Sequence, residues 1–415
     1  MKKFRFCCLL LCVLLTLQCV VAPAWATGTE NTTADTTETT TVPETTGVVY
    51  DIPEDVTGNA AVANGCSTIE GMQPLVTDSS IAKTAKGAFL YDMTTGTVLY
   101  AKNPDAKLYP ASLTKIMTAL IVLENLTDLE EMVEVSVTAV ADWDYDATLA
   151  NLVPGEQMSV LNLLYCLMVE SANDAGAVLA EHVAGSQEAF SELMNQKAAQ
   201  LGCVGTHFSN AHGLHDENNY TTARDICRLL DFAMDIPEFR TLFCAESYTV
   251  PATNKSEERK IFTSNYMMSR ETVKKYYDER VTGGKTGATD EAGRCLAATA
   301  AGNGMDLLTI VMGAEPVYEE DGLSVLYFGS FEETSQLLDY AFEKFECRQV
   351  FSEDQTISQH PVENGANAVV TRPADAAYTV LPRGVEINKL TWIYGDSAGA
   401  ITAPWKLMMP CSSAV

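Results

Sequence analysis

Three short motifs in this chain hold side chains that together can transfer an acyl group through a serine. They are, in order, Ser112-Leu113-Thr114-Lys115, Ser171-Ala172-Asn173 and Lys285-Thr286-Gly287. They supply a hydroxyl nucleophile, an amine base, a second hydroxyl for proton transfer and a cation for a carboxylate. Each motif alone is a weak indication, but together and in this order they predict serine acyl transfer without histidine.

In the first motif, Ser112 and Lys115 are three residues apart, which places both on one face of a helix. The apolar run that follows predicts a buried helix that begins at Ser112, where outward N–H groups can stabilise an oxyanion. Lys115 can accept the serine proton only when it is neutral, and burial together with the charge of Lys285 would lower its pKa. The matching run Ser80-Ile81-Ala82-Lys83 precedes no apolar helix, so we interpret it as a chance match.

The second motif lies between two helical runs. The Ser171 hydroxyl there can pass a proton between Lys115 and a leaving group. The Asn173 amide can both donate to and accept from a substrate peptide bond. The alternative interpretation is a helix N-cap, because serine and asparagine are both good caps.

The third motif is predicted at the edge of a strand. Lys285 and Thr286 offer a charge and a hydroxyl to a carboxylate, and Gly287 lets a substrate approach the backbone. The alternative interpretation is a simple turn, because Gly283 and Gly284 come directly before it.

The order of the predicted elements indicates an α+β fold. A strand hairpin comes first, helices fill the middle, and antiparallel strands and one more helix follow, so we expect the early and late strands to pair in one sheet packed on helices. The predicted strands are 87–93, 97–101, 295–300 and 307–313, and the predicted helices are 112–123, 174–183, 187–201, 222–234 and 332–345.

Composition divides the 415-residue chain into four predicted segments. Residues 1–26 have the basic start, the apolar run and the small residues of a cleavable export signal. Residues 27–74 are a Thr-rich linker that cannot form a core. Residues 75–345 form the catalytic domain and residues 346–415 a small β-rich domain. No later stretch is long and apolar enough to cross a bilayer, so we expect an extracytoplasmic chain that is secreted or only peripherally held.

Charge and residue clusters exclude several other functions. A formal net charge of −28 is a poor match to nucleic acid or anionic lipid. The group around His207, His212 and His215 fits no zinc-hydrolase spacing, so no metal site is predicted. Glu192 is interpreted as part of a solvated helix face and not as a deacylating glutamate. Eight cysteines lie beyond the signal without a C-x-x-C pair, and their pairing is left open.

At these motifs the chain resembles the serine-type D-Ala-D-Ala carboxypeptidases, the low-molecular-mass penicillin-binding proteins. The resemblance extends from about Lys86 to Phe345, and agreement outside the catalytic motifs makes it specific. The matching stretches are Pro110 to Lys115, Ser171 to Ala175, Leu201-Gly202, Asn210 to Leu214, Thr222 to Asp225 and Gly284 to Thr289.

The resemblance implies a penicillin-recognising serine hydrolase fold, of the β-lactamase/transpeptidase-like type, with an antiparallel sheet, a helical subdomain and a β-rich C-terminal domain. It implies removal of the terminal D-alanine from peptidoglycan stem peptides and covalent inhibition by β-lactams, without a cofactor. The roles it implies are Ser112 as nucleophile, Lys115 as base, Ser171 as relay, Asn173 on the substrate amide, Lys285 and Thr286 on the terminal carboxylate beside Gly287, and the N–H groups of Ser112 and Ala288 as oxyanion hole.

The chain departs from the family pattern at three places. Ala288 replaces a larger residue of some members. Some members carry an arginine after the strand that ends near Gly313, whereas Glu315 to Glu333 contains no basic residue. We therefore expect Lys285 to provide most of the carboxylate recognition. The tail from Ala403 lacks the amphipathic stripe with which many members bind membranes. Alternatives of the same fold are a β-lactamase-like hydrolase or a D,D-endopeptidase, and an alternative from another class is a non-catalytic wall-binding or β-lactam-sensing protein.

Overall fold

The computed structural model describes residues 80–141, 143, 147–269, 273–318, 325–355, 358–360, 362–363, 369–371, 376–387 and 401–402. Its α-helices are α1 (Thr114–Asn125), α2 (Val160–Tyr165), α3 (Asn173–Ala184), α4 (Gln187–Gln200), α5 (Ala223–Ala233), α6 (Pro237–Phe243) and α7 (Gly329–Lys344). Its first twelve strands in chain order are β1 (Gly87–Asp92), β2 (Thr97–Lys102), β3 (Met132–Glu134), β4 (Gln157–Ser159), β5 (Ser247–Val250), β6 (Arg259–Phe262), β7 (Val281–Thr289), β8 (Gly293–Gly302), β9 (Met305–Ala314), β10 (Pro316–Tyr318), β11 (Val325–Phe328) and β12 (Phe345–Phe351). The remaining strands are β13 (Ser358–His360), β14 (Val362–Glu363), β15 (Val369–Thr371), β16 (Ala377–Pro382) and β17 (Ile401–Thr402).

A five-stranded antiparallel sheet in the order β2-β1-β9-β8-β7 forms the centre of the fold. The early hairpin joins the late strands through the β1–β9 pairing, in which Phe89 lies opposite Ile310. This is the pairing that the order of the elements predicts, and the α+β prediction is confirmed. Strand β7, which carries the third motif, lies at one edge of the sheet.

Both faces of the sheet are covered, which explains why β1 is buried along its whole length. Side chains alternate between the two faces of a strand. Phe89 and Tyr91 therefore pack with the helices of one face, whereas Ala88 and Leu90 pack with α7 on the other. The sheet holds the site rigidly because it is the middle layer of three.

Helix α1 is the buried central helix of the layer of helices that packs on one face of the sheet. Every residue from Thr114 to Val122 is buried, including the polar ones. A helix that is apolar on all sides belongs in a protein interior, and this burial fixes the position of the first motif against α3, α4 and α5.

The chain after α7 continues into strand β12, which pairs with β16. Phe345, Val380 and Leu381 are buried in the core under α7, so this pair is packed on the catalytic layer. The predicted signal, the whole of the predicted linker and most of the tail beyond residue 387 lie outside the described residues. The domain boundaries stay predictions.

Candidate active site

A short 3₁₀ turn, Ala111–Leu113, leads into α1 and carries Ser112. Ala111 has φ of 47°, a left-handed conformation that turns the chain sharply before the helix. Ser112 is partly exposed, whereas Lys115 in the first turn of α1 is fully buried. The predicted helix start is confirmed, and the turn presents Ser112 at the surface of a cavity with Lys115 behind it.

The Lys115 amine has three hydrogen-bond acceptors around it. Its Nζ donates to Ser112 Oγ at 2.9 Å and to Asn173 Oδ1 at 2.6 Å, and it also donates to the carbonyl oxygen of His212. Two of these acceptors are carbonyl oxygens, which cannot donate. When Lys115 is neutral, its two N–H groups serve the carbonyls and its lone pair faces the Ser112 hydroxyl. The arrangement therefore suits a base that acts on Ser112.

The electrostatic environment favours a neutral Lys115. Burial, and second the charge of Lys285, hold the pKa of the Lys115 amine well below its ordinary value, while the charge of Asp174 opposes them. Burial also lowers the pKa of Lys285 to about 7. Two buried amines close to each other cannot both stay protonated without a large electrostatic cost, so one of them is available as a proton acceptor at neutral pH.

Ser171 is positioned by a π-turn at the end of α2. Residues Cys166–Glu170 form this turn, and Ser171 follows with φ of 72°, in the left-handed region. A non-glycine residue in this conformation costs about 1–2 kcal/mol, and such strain is concentrated at functional sites. Lys285 Nζ donates to Ser171 Oγ at 2.8 Å and to the Thr286 carbonyl at 3.0 Å. The structure thus brings the second and third motifs together.

Asn173 and Asp174 begin α3 and anchor the loop that precedes it. The Asp174 carboxylate accepts from the backbone N–H groups of Ala150 and Leu152, at 2.9 and 3.0 Å. The Asn173 backbone N–H donates to the Thr148 carbonyl at 2.8 Å. Asn173 is buried, and its Oδ1 accepts a hydrogen bond from Lys115 Nζ. The N-cap alternative for this motif does not hold, because Ala172 occupies the N-cap of α3 without a side-chain hydrogen bond.

Strand β7 passes directly against the turn that carries Ser112. A Cβ atom at Gly287 would lie 2.9 Å from the Pro110 carbonyl oxygen and 3.1 Å from the Ser112 nitrogen. Only glycine allows this approach. Lys285, Thr286 and Gly287 belong to a nine-residue strand, so the turn alternative for the third motif is wrong.

A cavity of about 280 Å³ opens beside these motifs. The described residues that line it are Ser112, Thr148, Glu170, Ser171, Ser264, Tyr266, Thr286, Gly287, Ala288, Arg294, Cys295, Phe328, Ser330 and Phe331. Lys115, Asn173 and Lys285 are not among them, because they lie buried behind the two serines. Sequence reasoning found Ser112, Ser171 and the β7 residues but missed the other side chains of the wall.

Two of the missed wall residues carry charge. Glu170 Oε2 is buried without a hydrogen-bond partner in the described part of the chain. Burial, and second the charge of Asp174, raise the pKa of the Glu170 carboxyl against the effect of Arg259. Arg294 stands on β8 opposite Ala288. The position of Glu170 directly before Ser171 is a sequence signal that could have found it.

The loop Asn210 to Leu214 is a second feature that only the fold exposes. Gly213 has φ of +89°, and a Cβ atom there would lie 2.0 Å from the Ala111 carbonyl oxygen and 3.0 Å from the Ser112 nitrogen. The preceding residue, His212, gives its carbonyl to Lys115. The loop therefore supports both the turn that carries Ser112 and the amine of Lys115.

We expect Gly213→Ala to slow acylation of Ser112 by at least an order of magnitude and to lower the free energy of unfolding. The added methyl group must displace the Ala111 carbonyl and with it the turn Ala111–Leu113 that carries Ser112. Gly185→Ala is the matched control, because Gly185 has φ of +80° but open space around its Cβ position. The control should cost only the conformational strain, about 1–2 kcal/mol. Denaturant unfolding and the rate of penicillin labelling of both variants check this, and equal effects would contradict it.

The other predicted features have separate places in the fold. His207 bonds the Asn218 carbonyl, and His215 lies 3.9 Å from Glu291. Among the described residues there is no cluster of three potential metal-ligating side chains. The six cysteines in the described ranges are free thiols. No helix in those ranges has the length and apolar content needed to cross a membrane.

Comparison with known proteins identifies the family. The model of the peptidase S11 family, described as D-alanyl-D-alanine carboxypeptidase, matches residues 75–316. The chain is 30% identical to the D-alanyl-D-alanine carboxypeptidase DacF of Bacillus subtilis, over 75% of this chain and 76% of that protein. It is 33% identical to DacC of Escherichia coli, over 78% and 77%.

The solved structures agree with the sequence comparison. Penicillin binding protein 5 from Haemophilus influenzae superposes with a TM-score of 0.65 at 31% identity, over 77% of this chain and 89% of that structure. The predicted serine hydrolase fold and the predicted enzyme class are thereby confirmed. The chain belongs to the peptidase S11 family of D-alanyl-D-alanine carboxypeptidases.

Proposed function

We propose that Ser112 is the nucleophile of this carboxypeptidase and Lys115 its base. The observation that carries the proposal is the set of three acceptors around Lys115 Nζ, of which Ser112 Oγ is the one that can donate in return. The neutral amine takes the hydroxyl proton, and Ser112 Oγ attacks the carbonyl carbon of the penultimate D-alanine. Gly287 holds β7 close to this turn, so the N–H groups of Ser112 and Ala288 are assigned to the oxyanion.

Ser171 and Lys285 are assigned to the leaving group. The Lys285 ammonium donates to Ser171 Oγ and makes the Ser171 hydroxyl a better proton donor. Ser171 gives its proton to the nitrogen of the departing D-alanine as the peptide C–N bond breaks, and it regains a proton from Lys115. A water molecule then attacks the Ser112 ester with Lys115 again as base, which releases the shortened peptide and restores the serine.

Substrate binding is assigned to the edge of the sheet and to Asn173. Strand β7 is the last strand of the sheet in the described part of the chain and lies beside the cavity, so an extended peptide can add to it as a further strand. The Thr286 hydroxyl, which pairs with Ser264 Oγ, faces the terminal carboxylate. Asn173 Oδ1 orients Lys115, and the family resemblance assigns its Nδ2 group to a substrate that reaches past the two serines. We infer that the substrates are peptidoglycan stem peptides and that β-lactams are covalent inhibitors.

We also infer that the chain works outside the cytoplasm. Its relatives are named D-alanyl-D-alanine carboxypeptidases, and the basic and apolar start of the sequence fits an export signal cleaved before Thr27. The acidic composition supports a protein without a nucleic acid partner. N-terminal sequencing of the cell-wall and medium fractions tests this inference, and recovery of a membrane-bound chain that keeps Met1 would refute it.

Mass spectrometry of the intact protein tests the proposed function. Incubation with benzylpenicillin should add one penicilloyl group at Ser112, and incubation with a peptide ending in D-Ala-D-Ala should release one D-alanine. A protein that forms neither product contradicts the proposal. A cross-linked dimer of two stem peptides tests the endopeptidase alternative, because an endopeptidase would cleave it into two separate peptides.

The lifetime of the penicilloyl adduct tests the β-lactamase-like alternative. One observation favours that alternative: the Glu170 carboxylate lines the same cavity as Ser112. A β-lactamase needs a carboxylate that activates the deacylating water, and the sequence alone did not indicate one. A carboxypeptidase should keep its adduct for many minutes under conditions in which a β-lactamase turns over repeatedly. Rapid loss of the adduct with continuous consumption of penicillin would therefore replace the proposed function by the alternative.

A further inference from the structure

The cavity presents one basic side chain to an incoming anion. Of its lining residues within the described ranges, Arg294 alone is a lysine or arginine. The two lysines of the motifs are buried behind Ser112 and Ser171, and Lys285 Nζ already donates to Ser171 Oγ and to the Thr286 carbonyl. A carboxylate that enters the cavity therefore meets the guanidinium of Arg294 before it meets either amine.

The register of the sheet places Arg294 diagonally across from Thr286 on the neighbouring strand. Arg294 pairs with Ala288 and Leu296 pairs with Thr286 across β7 and β8. Thr286 is thus the diagonal neighbour of Arg294 on one face of the sheet, a separation that long side chains can span. Ala288, which lies directly opposite, is small and leaves the path open. A larger side chain at position 288 would occupy that path.

The guanidinium is held in place without a carboxylate partner. Its Cζ lies over the Phe328 ring, 4.7 Å from the ring centre, in a cation–π contact. In the described part of the chain no aspartate or glutamate forms an ion pair with Arg294. Stacking on an aromatic ring fixes the orientation of the planar group and leaves its edge N–H groups available for two parallel hydrogen bonds to a carboxylate.

We propose that Arg294 binds the terminal carboxylate of the substrate together with Thr286, and that it replaces the basic residue which the segment Glu315 to Glu333 lacks. The inference rests on the proposed function and adds a specificity-determining residue to it. It also changes the expectation for Lys285, whose main task becomes the polarisation of Ser171. Ala288 and Arg294 then act as a pair, since the small residue gives the long one access.

Substrates with and without a free carboxylate test the proposal. We expect Arg294→Ala to reduce kcat/KM for a peptide acid ending in D-Ala-D-Ala by roughly 10- to 100-fold, the range for a hydrogen bond to a charged group. The same variant should leave kcat/KM for the C-terminal amide within about twofold of the native value, by the same reasoning. Arg294→Gln keeps hydrogen bonding without charge and should show the same selective loss. Arg348→Ala, which removes an arginine from β12 far from the cavity, is the matched control.

Benzylpenicillin and its methyl ester provide a second comparison with the same chemistry. The rate of Ser112 acylation by the acid should fall in Arg294→Ala, while acylation by the ester should stay at the native rate and so show that the site is folded. Equal loss for acid and ester, or no loss for either, overturns the role of Arg294. Failure of the native protein to react with either probe overturns the proposed function itself, which separates the two conclusions.

Discussion

Ser112→Ala should abolish covalent labelling by penicillin, while Ser80→Ala should leave labelling unchanged. Both serines begin an S-x-x-K sequence, so the pair isolates the effect of structure from that of motif. Ser112 precedes the buried helix α1, and its hydroxyl contacts Lys115 at 2.9 Å. Ser80 and Lys83 are both exposed, in a segment before β1 that is not a helix. No ester can form without the Ser112 oxygen, so the expected loss is complete.

The measurement is the mass of the intact protein after incubation with benzylpenicillin. Ser112 is only partly buried and its side chain is small, so the alanine variant should fold with a free energy of unfolding within about 0.5 kcal/mol of the native value. A normal thermal transition without an adduct then shows a lost nucleophile and not a lost fold. Labelling that persists in Ser112→Ala would refute the assignment.

Much of this fold was predictable because its elements have strong local signals. The hairpin of β1 and β2 has a turn marked by Gly96, and the β8–β9 hairpin has one marked by Asn303 and Gly304. The long apolar run after Ser112 predicts that α1 is a buried helix, because a helix without a polar face must be buried. The three catalytic motifs were found for the same reason: each has a fixed spacing within a few residues.

The parts that were missed depend on contacts between distant segments. The π-helical turn at Cys166–Glu170 has a mostly apolar sequence that an α-helix could equally adopt, and no residue in it signals the left-handed Ser171 that follows. The His212 carbonyl that holds Lys115 is a backbone group and has no side-chain signature. Arg294 is one arginine in a strand, and its role depends on the β7–β8 register and on Phe328 from β11. Sequence reasoning searched for a basic residue after β9 and did not look on the neighbouring strand.

We expect Lys115→Met and Lys115→Arg both to slow acylation by about 10²- to 10⁴-fold, the usual contribution of a positioned general base. The two variants fail for different reasons. Methionine fills the space of the lysine stem but has no amine. Arginine keeps the positive charge and hydrogen-bond donors but cannot be neutral at working pH, so its failure shows that the site needs a base and not only a cation. Single-turnover rates with benzylpenicillin provide the measurement.

Thermal unfolding separates this loss from a structural defect. Because burial lowers the pKa of Lys115, the native state carries the cost of an amine that the unfolded chain would protonate freely. That cost is largest at low pH, and it shrinks as pH rises toward the ordinary lysine pKa. Lys115→Met removes it, so this variant should have a Tm at least equal to that of the native protein at neutral pH.

The two lysines together predict the pH profile of kcat/KM. As pH rises through the lowered pKa of Lys115, the base becomes neutral and the rate increases. As pH rises above about 7, Lys285 loses its proton and no longer polarises Ser171, so the rate decreases. The expected profile is a bell whose limbs belong to the coupled pair.

Lys285→Arg should remove the alkaline limb, because a guanidinium stays charged throughout that range. An alkaline limb that persists unchanged in Lys285→Arg would show that Lys285 does not set it, and activity that persists in Lys115→Arg would show that the base is another group.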